Sequence, residues 1–112
     1  MDLKINDNIY NVKCVMTPKD IQNGMMQKKF DGFDGMLFLM DDLEHNFWMR
    51  NCIIPLDIVF IEDGVISKIH HNCSPCNTPE CEHYEGTGDM VLELPGNECK
   101  KYNIKEGDKI LV

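Results

Sequence analysis

Residues 56–71 read LDIVFIEDGVISKIHH. Leu56, Ile58 and Phe60 fall on one face of an extended chain, and Asp57, Val59 and Ile61 fall on the other. A strand apolar on both sides is expected to be covered on both sides. Asp63-Gly64 is a two-residue hairpin signal, and VISKIHH returns from it as an antiparallel partner. This stretch therefore predicts a β-hairpin whose first strand is largely buried on both faces, within a β-rich domain.

Upstream, Lys4 to Val15 carries Ile5, Ile9, Tyr10, Val12, Cys14 and Val15 around the turn signal Asn6-Asp7-Asn8, which predicts two short strands or a hairpin. TPKD follows, with Thr17 as N-cap, Pro18 at the first helical position and Asp20 beside the positive end of the helix dipole. These signals predict a helix over residues 18–29, with Ile21 and Met25 on one face. Gly32, Asp34 and Gly35 break the chain before the apolar run MLFLM, read as a buried strand. A turn is expected at Asp41 to Glu44, and HNFWMRN forms the next strand.

Downstream, residues 72–89 hold three cysteines, two prolines and two glycines with little periodicity and read as a long loop. Long loops in small domains are usually functional or internally fastened. MVLELP is a further strand; Asn97 is placed to cap a short helix over Glu98 to Tyr102, and Asn103 to close it in a left-handed conformation. Gly107-Asp108 then turns into a final strand, KILV. Six or seven strands and two short helices predict an α+β, mostly β fold: one compact antiparallel β-barrel or sandwich spanning residues 1–112 as a single domain.

At 112 residues the chain has room for one core, and 43% hydrophobic with 27% charged residues is a globular composition. A net charge of -8 disfavours contact with a phosphate backbone, so nucleic acid is not an expected partner. CIIPLDIVFI is broken by Pro55 and Asp57 and is far too short to span a bilayer. The N-terminal stretch alternates apolar and polar residues, unlike a secretory signal. No membrane insertion and a cytoplasmic location are expected.

Chemistry is concentrated in two places. His70, His71, Cys73, Cys76, Cys81 and His83 crowd into fourteen positions. The two-residue gap between Cys73 and Cys76 is that of a zinc knuckle, and Cys81 with His83 or His70 would complete a tetrahedron, making zinc the possible cofactor. Against this, Cys76 and Cys81 could be a bridge or thiols packed near Tyr84. A redox reading of Cys73-Ser-Pro-Cys76 lacks the following helix that would activate its first thiol.

The second constellation is Trp48, Arg50, Asn51, Asp57 and Glu93, polar or amphipathic groups set in apolar strands. A buried carboxylate must be paired or hydrogen-bonded, so Asp57 is expected either to pair with Arg50 or to accept backbone N–H groups near Pro55. The functional alternative is a cleft with Asp57 and Glu93 as acid and base, Asn51 orienting a ligand and Trp48 stacking on it. Eight methionines lie on apolar faces and read as core filler. No nucleophile elbow, triad or phosphate loop is present.

Residues 35–38 (GMLF), 47–61 (FWMRNCIIPLDIVFI), the spaced Cys76 and Cys81 with Tyr84, 90–95 (MVLELP) and 103–110 (NIKEGDKI) carry a resemblance. From about Met16 onward the chain resembles the domain-of-unknown-function family 192. The resemblance implies a small β-domain with short helices and no established activity. This chain departs from the family pattern at Cys52, where threonine is common, at the additional Cys73, at His83, where proline is usual, and at Asn103, where glycine is usual.

The combined expectation is a non-catalytic binding or accessory domain that presents the cysteine loop and a surface of Trp48, Arg50, Asn51, Asp57, Tyr84 and Glu93 to a protein partner or small ligand. The alternatives are a small hydrolase-like enzyme using Asp57 and Glu93, and a zinc-fastened or thiol-responsive module using Cys73, Cys76, Cys81 and His83.

Overall fold

A computed structural model describes residues 1–112, the side chain of Asp42 excepted. In chain order the elements are β1 (Asp2–Ile5), β2 (Asn8–Val15), α1 (Pro18–Asn23), β3 (Gly35–Trp48), β4 (Leu56–Glu62), β5 (Val65–Cys73), β6 (His83–Pro95), α2 (Glu98–Lys101) and β7 (Ile110–Leu111). The seven strands form one sheet in the order β5-β4-β6-β3-β2-β1-β7. All neighbours are antiparallel except β2 and β3, which run parallel because α1 and the segment after it carry the chain back across the sheet. The architecture is thus mostly β with two short helices, as expected, though not wholly antiparallel.

The hairpin forms as read. Asp63 and Gly64 adopt φ of 53° and 74°, the positive values that a tight turn between twisted strands requires, and Glu62 pairs with Val65. At its tip the sheet curls on itself: Ile66 N–H donates to Asp108 O (2.9 Å) and Ile110 N–H to Gly64 O (2.9 Å). The edge strand β5 thereby meets the turn leading into the opposite edge strand β7, which shields both edges. The outcome is a curled, partly closed barrel rather than a two-sheet sandwich.

Two apolar clusters lie on the two faces of this sheet. Leu37, Val59, Ile61, Leu92 and Leu94 point into the curl, where they pack with Leu3, Ile5, Ile66, Cys99 and Ile104. Met36, Phe38, Ile58, Phe60 and Val91 point outward and are covered by Met25, Met49 and Cys52. Every residue of Leu56–Ile61 is buried, Asp57 included, because β4 is enclosed from both sides.

Three expectations change. The helix ends at Asn23 instead of continuing to residue 29: Gly24 has φ 44°, and Met26 and Cys52 form an isolated β-bridge. A β-carbon at Gly24 would lie 3.2 Å from the Phe38 ring, so the turn that stops the helix also permits close packing. The turn at 41–44 is absent: β3 runs through it, with a register shift between Leu39 and Leu43 in its pairing with β6, the signature of a bulge that bends a strand without ending it. The 72–89 loop shrinks to residues 74–82, since β5 reaches Cys73 and β6 starts at His83. Among the described residues, no helix is long and apolar enough to cross a membrane.

Candidate functional site

Strands β4 and β6 run side by side, with Asp57 opposite Leu94 and Ile58 opposite Glu93. Side chains alternate along a strand, so Asp57 shares the inner face with Val59 and Leu94, whereas Glu93 shares the outer face with Ile58 and Met36. The expected acid and base therefore lie on opposite sides of the sheet and are not assembled into one pocket.

Asp57 is an internal fastener. Its Oδ1 accepts from Asn72 N–H (2.7 Å) and Asn97 N–H (2.9 Å), and its Oδ2 accepts from Cys99 N–H (2.8 Å). The pairing with Arg50 does not occur; the backbone-acceptor reading is the one observed, with different donors from those near Pro55. Asn97 sits in the left-handed region (φ 69°) and makes no side-chain cap. The Asp57 carboxylate satisfies the first turn of α2 in its place, favoured there by the helix dipole as well as by hydrogen bonding.

Glu93 is the opposite case. It is 3% exposed, and its Oε1 is buried with no hydrogen-bond partner. Burial pushes its carboxyl up to about 8, so the neutral acid is the main form at neutral pH. This carboxyl lines a cleft of about 200 Å³ together with Met25, Phe38, Phe47, Trp48 and Cys52. The segment after α1 supplies one wall, the outer half of β3 the other, and β6 the floor. Cys52, 8% exposed, has its thiol pushed up to about 12, first by burial and then by the neighbouring Glu93, so it is a packed thiol and not a ready nucleophile.

Trp48 stands at the mouth, 38% exposed. The Arg50 guanidinium carbon lies 5.4 Å from its ring centre, a cation–π contact, and His83 meets its edge at 6.0 Å. A second, shallower hollow of about 230 Å³ shares Asn46, Phe47 and Trp48 and extends to His83. Asn51 is a turn residue with φ 59°: its carbonyl accepts from Gln27 N–H and Gln27 Nε2, both at 2.9 Å, and its N–H donates to Cys76 O at 2.9 Å. Its backbone thus holds the loop of Gln27 to that of Cys76. Tyr84 lies on β6 opposite Phe47 and donates to Glu82 Oε2 at 3.0 Å.

The cysteine loop takes the bridged form. Cys76 and Cys81 form a disulfide, while Cys14, Cys52, Cys73 and Cys99 are free. Cys73 belongs to the outer core cluster, and His83 faces Trp48. The proposed zinc set of Cys73, Cys76, Cys81 and His83 is therefore not gathered: two of its thiolates are spent on each other. Among the described residues no group of three or more His, Cys, Asp or Glu side chains is arranged to hold a metal ion. The loop is tied to the site instead, since Cys76 N–H donates to Met49 O (3.0 Å) and Arg50 and Cys76 form a parallel bridge.

The sequence pointed to Trp48 and Glu93 but not to Met25, Met26, Asn46, Phe47 or Cys52 as their companions. The available signals were the helix face bearing Met25 and the unusual Cys52; nothing local joined them to Glu93.

Two solved structures of similar proteins share this fold. A protein of unknown function from Novosphingobium aromaticivorans DSM 12444 superposes with a TM-score of 0.86 at 27% identity, over 99% of this chain and 84% of that one. A Sinorhizobium meliloti 1021 protein provisionally described as a transcription regulator superposes with a TM-score of 0.82 at 26% identity, over 98% of this chain and 89% of that one. Among curated proteins none matches. Residues 1–112 match the family described as DUF192, Uncharacterized ACR, and the chain belongs to that domain-of-unknown-function family.

Proposed function

We propose that the chain is a non-catalytic binding domain whose cleft beneath α1 receives a small ligand, with the disulfide-fastened loop forming part of the adjoining surface. The observation that carries this reading is Glu93: a buried carboxyl with an unpartnered oxygen, lining an otherwise largely apolar cleft. Leaving such a group unsatisfied destabilises the fold by about 1–3 kcal/mol, and a ligand that bonds to it would recover that loss. Few polar groups converging in an apolar recess is also the usual composition of a small-molecule site.

The non-catalytic part of the reading is supported by the separation of the two carboxyls and by the neutral Cys52 thiol. A net charge of -8 supports a role without nucleic acid, and the reading takes the protein as cytoplasmic with no membrane insertion. In that reducing compartment the Cys76–Cys81 bridge would be reversible.

The test is NMR of protein labelled at its methionine methyls, titrated with fragments of up to about ten non-hydrogen atoms, the size such a recess can enclose. Hits are expected to move Met25, Met26 and the Trp48 indole N–H, and to leave Met1 and Met90 in place. A library with no hit there, or with hits only at the cysteine loop, would overturn the proposal.

A further inference from the structure

Resting on the cleft being a ligand site, the chemistry of its walls narrows the ligand. Among the described residues that line it, Glu93 is the only ionisable carboxyl or cation. Phe38, Phe47 and Trp48 contribute aromatic rings, whose faces carry negative potential and attract cations. Asn46, Asn23 and Gln22 add side-chain amides, each with an oxygen acceptor and an N–H₂ donor. An anionic ligand would meet no counter-charge among these residues.

Two of the chain's own cations adjoin the cleft. Lys28 Nζ donates to Gly24 O at 3.0 Å on the cleft wall, and Arg50 rests over Trp48 at the mouth. Neither partners Glu93 Oε1, which stays unbonded. The volume of about 200 Å³ corresponds to roughly seven waters at ~30 Å³ each, room for a compact ring or short chain with one polar end.

We infer that the cleft selects a small organic ammonium, its apolar body between Met25, Phe47 and Trp48 and its N–H donors on the Glu93 carboxylate. Binding such a cation requires Glu93 to ionise, so a proton leaves as the ligand enters. Around Glu93, burial keeps the Cys52 and Cys73 thiols neutral, and Met36 and Ile58, its strand neighbours, are apolar; Lys28, hydrogen-bonded to Gly24 O, is the nearby cation against which the Glu93–ammonium contact must prevail.

Benzylamine, benzyl alcohol and benzoate share a ring and differ in the polar end, so they separate the possibilities. Titrations followed at the Met25 and Met26 methyls and by calorimetry are expected to show benzylamine binding at least tenfold more tightly than the other two. Between pH 6 and pH 8 its affinity is expected to rise by about 50-fold, in step with the ionised fraction of a group titrating near 8. Glu93→Gln is expected to remove both the preference and the pH dependence, so that the variant binds benzylamine no more tightly than benzyl alcohol at either pH. Equal affinity for benzylamine and benzyl alcohol, or a preference for benzoate, would overturn the ammonium assignment and leave the cleft as a site. Absence of binding by all three, together with an empty fragment library, would overturn both.

Discussion

Replacing Glu93 with glutamine keeps the shape of the side chain and removes its titration, so pH-dependent stability isolates what the buried carboxyl contributes. Its value lies near 8 in the folded protein against 4.5 for an unperturbed group. The unfolded chain releases this proton at lower pH than the native state does. The native state is therefore favoured most below about 4.5, and the advantage is lost as pH rises toward about 8. The full difference of 3.5 units amounts to about 5 kcal/mol at ~1.36 kcal/mol per unit. Over about pH 5.5 to 7.5, where the unfolded carboxyl is ionised and the native one is not, wild type should lose about 2–3 kcal/mol relative to Glu93→Gln. Urea unfolding of both proteins across that window measures it, and groups unconnected with Glu93 cancel in the difference. Curves that run parallel within ~0.5 kcal/mol would mean that Glu93 titrates normally. The cleft would then lack the neutral buried acid on which the functional argument stands.

Asp57→Asn should retain the two bonds at Oδ1 but set an amide N–H₂ against Cys99 N–H, lowering stability by about 2 kcal/mol and the melting temperature by roughly 6–10 °C; Asp57→Ala, which orphans all three donors, should cost about 4–6 kcal/mol. A calorimetric melt that placed alanine and asparagine together would refute the fastener role. Serine at both Cys76 and Cys81 opens a loop with a sequence separation of 5 and should reduce stability by about 2 kcal/mol. Alkylation of denatured, unreduced protein should label the four free cysteines alone, and labelling of all six would show that the bridge does not form in solution.

Much of the fold was legible because its signals are local. Asp63-Gly64 turns where its backbone preference says it must, and Asn6 and Asn103 take the positive φ of 55° and 56° that their turns require. Thr17, Pro18 and Asp20 start α1 as read, with Thr17 Oγ1 accepting from Asp20 N–H at 3.2 Å. Where the reading missed, a distant contact prevailed over local preference: the bridge to Cys52 accompanied the early end of the helix, a bulge carried β3 through an apparent turn, and Asp57 took the capping role expected of Asn97.

The site divides in the same way. The sequence by itself determined that Asp57 and Glu93 would be buried, since each interrupts an apolar strand, and that Trp48 and the cysteine loop were unusual. Only the tertiary structure decided which carboxyl is satisfied. Strand alternation places residues 57 and 93 in register space, but their partners come from elsewhere: Asn72, Asn97 and Cys99 close around Asp57 from the inside of the curl. Glu93 is met on the outside by Met25 and Cys52, a thioether and a thiol that make no hydrogen bond to its buried oxygen. Two like residues in like strands thus acquire opposite roles, because hydrogen bonding and desolvation depend on neighbours that chain folding, not chain order, brings near.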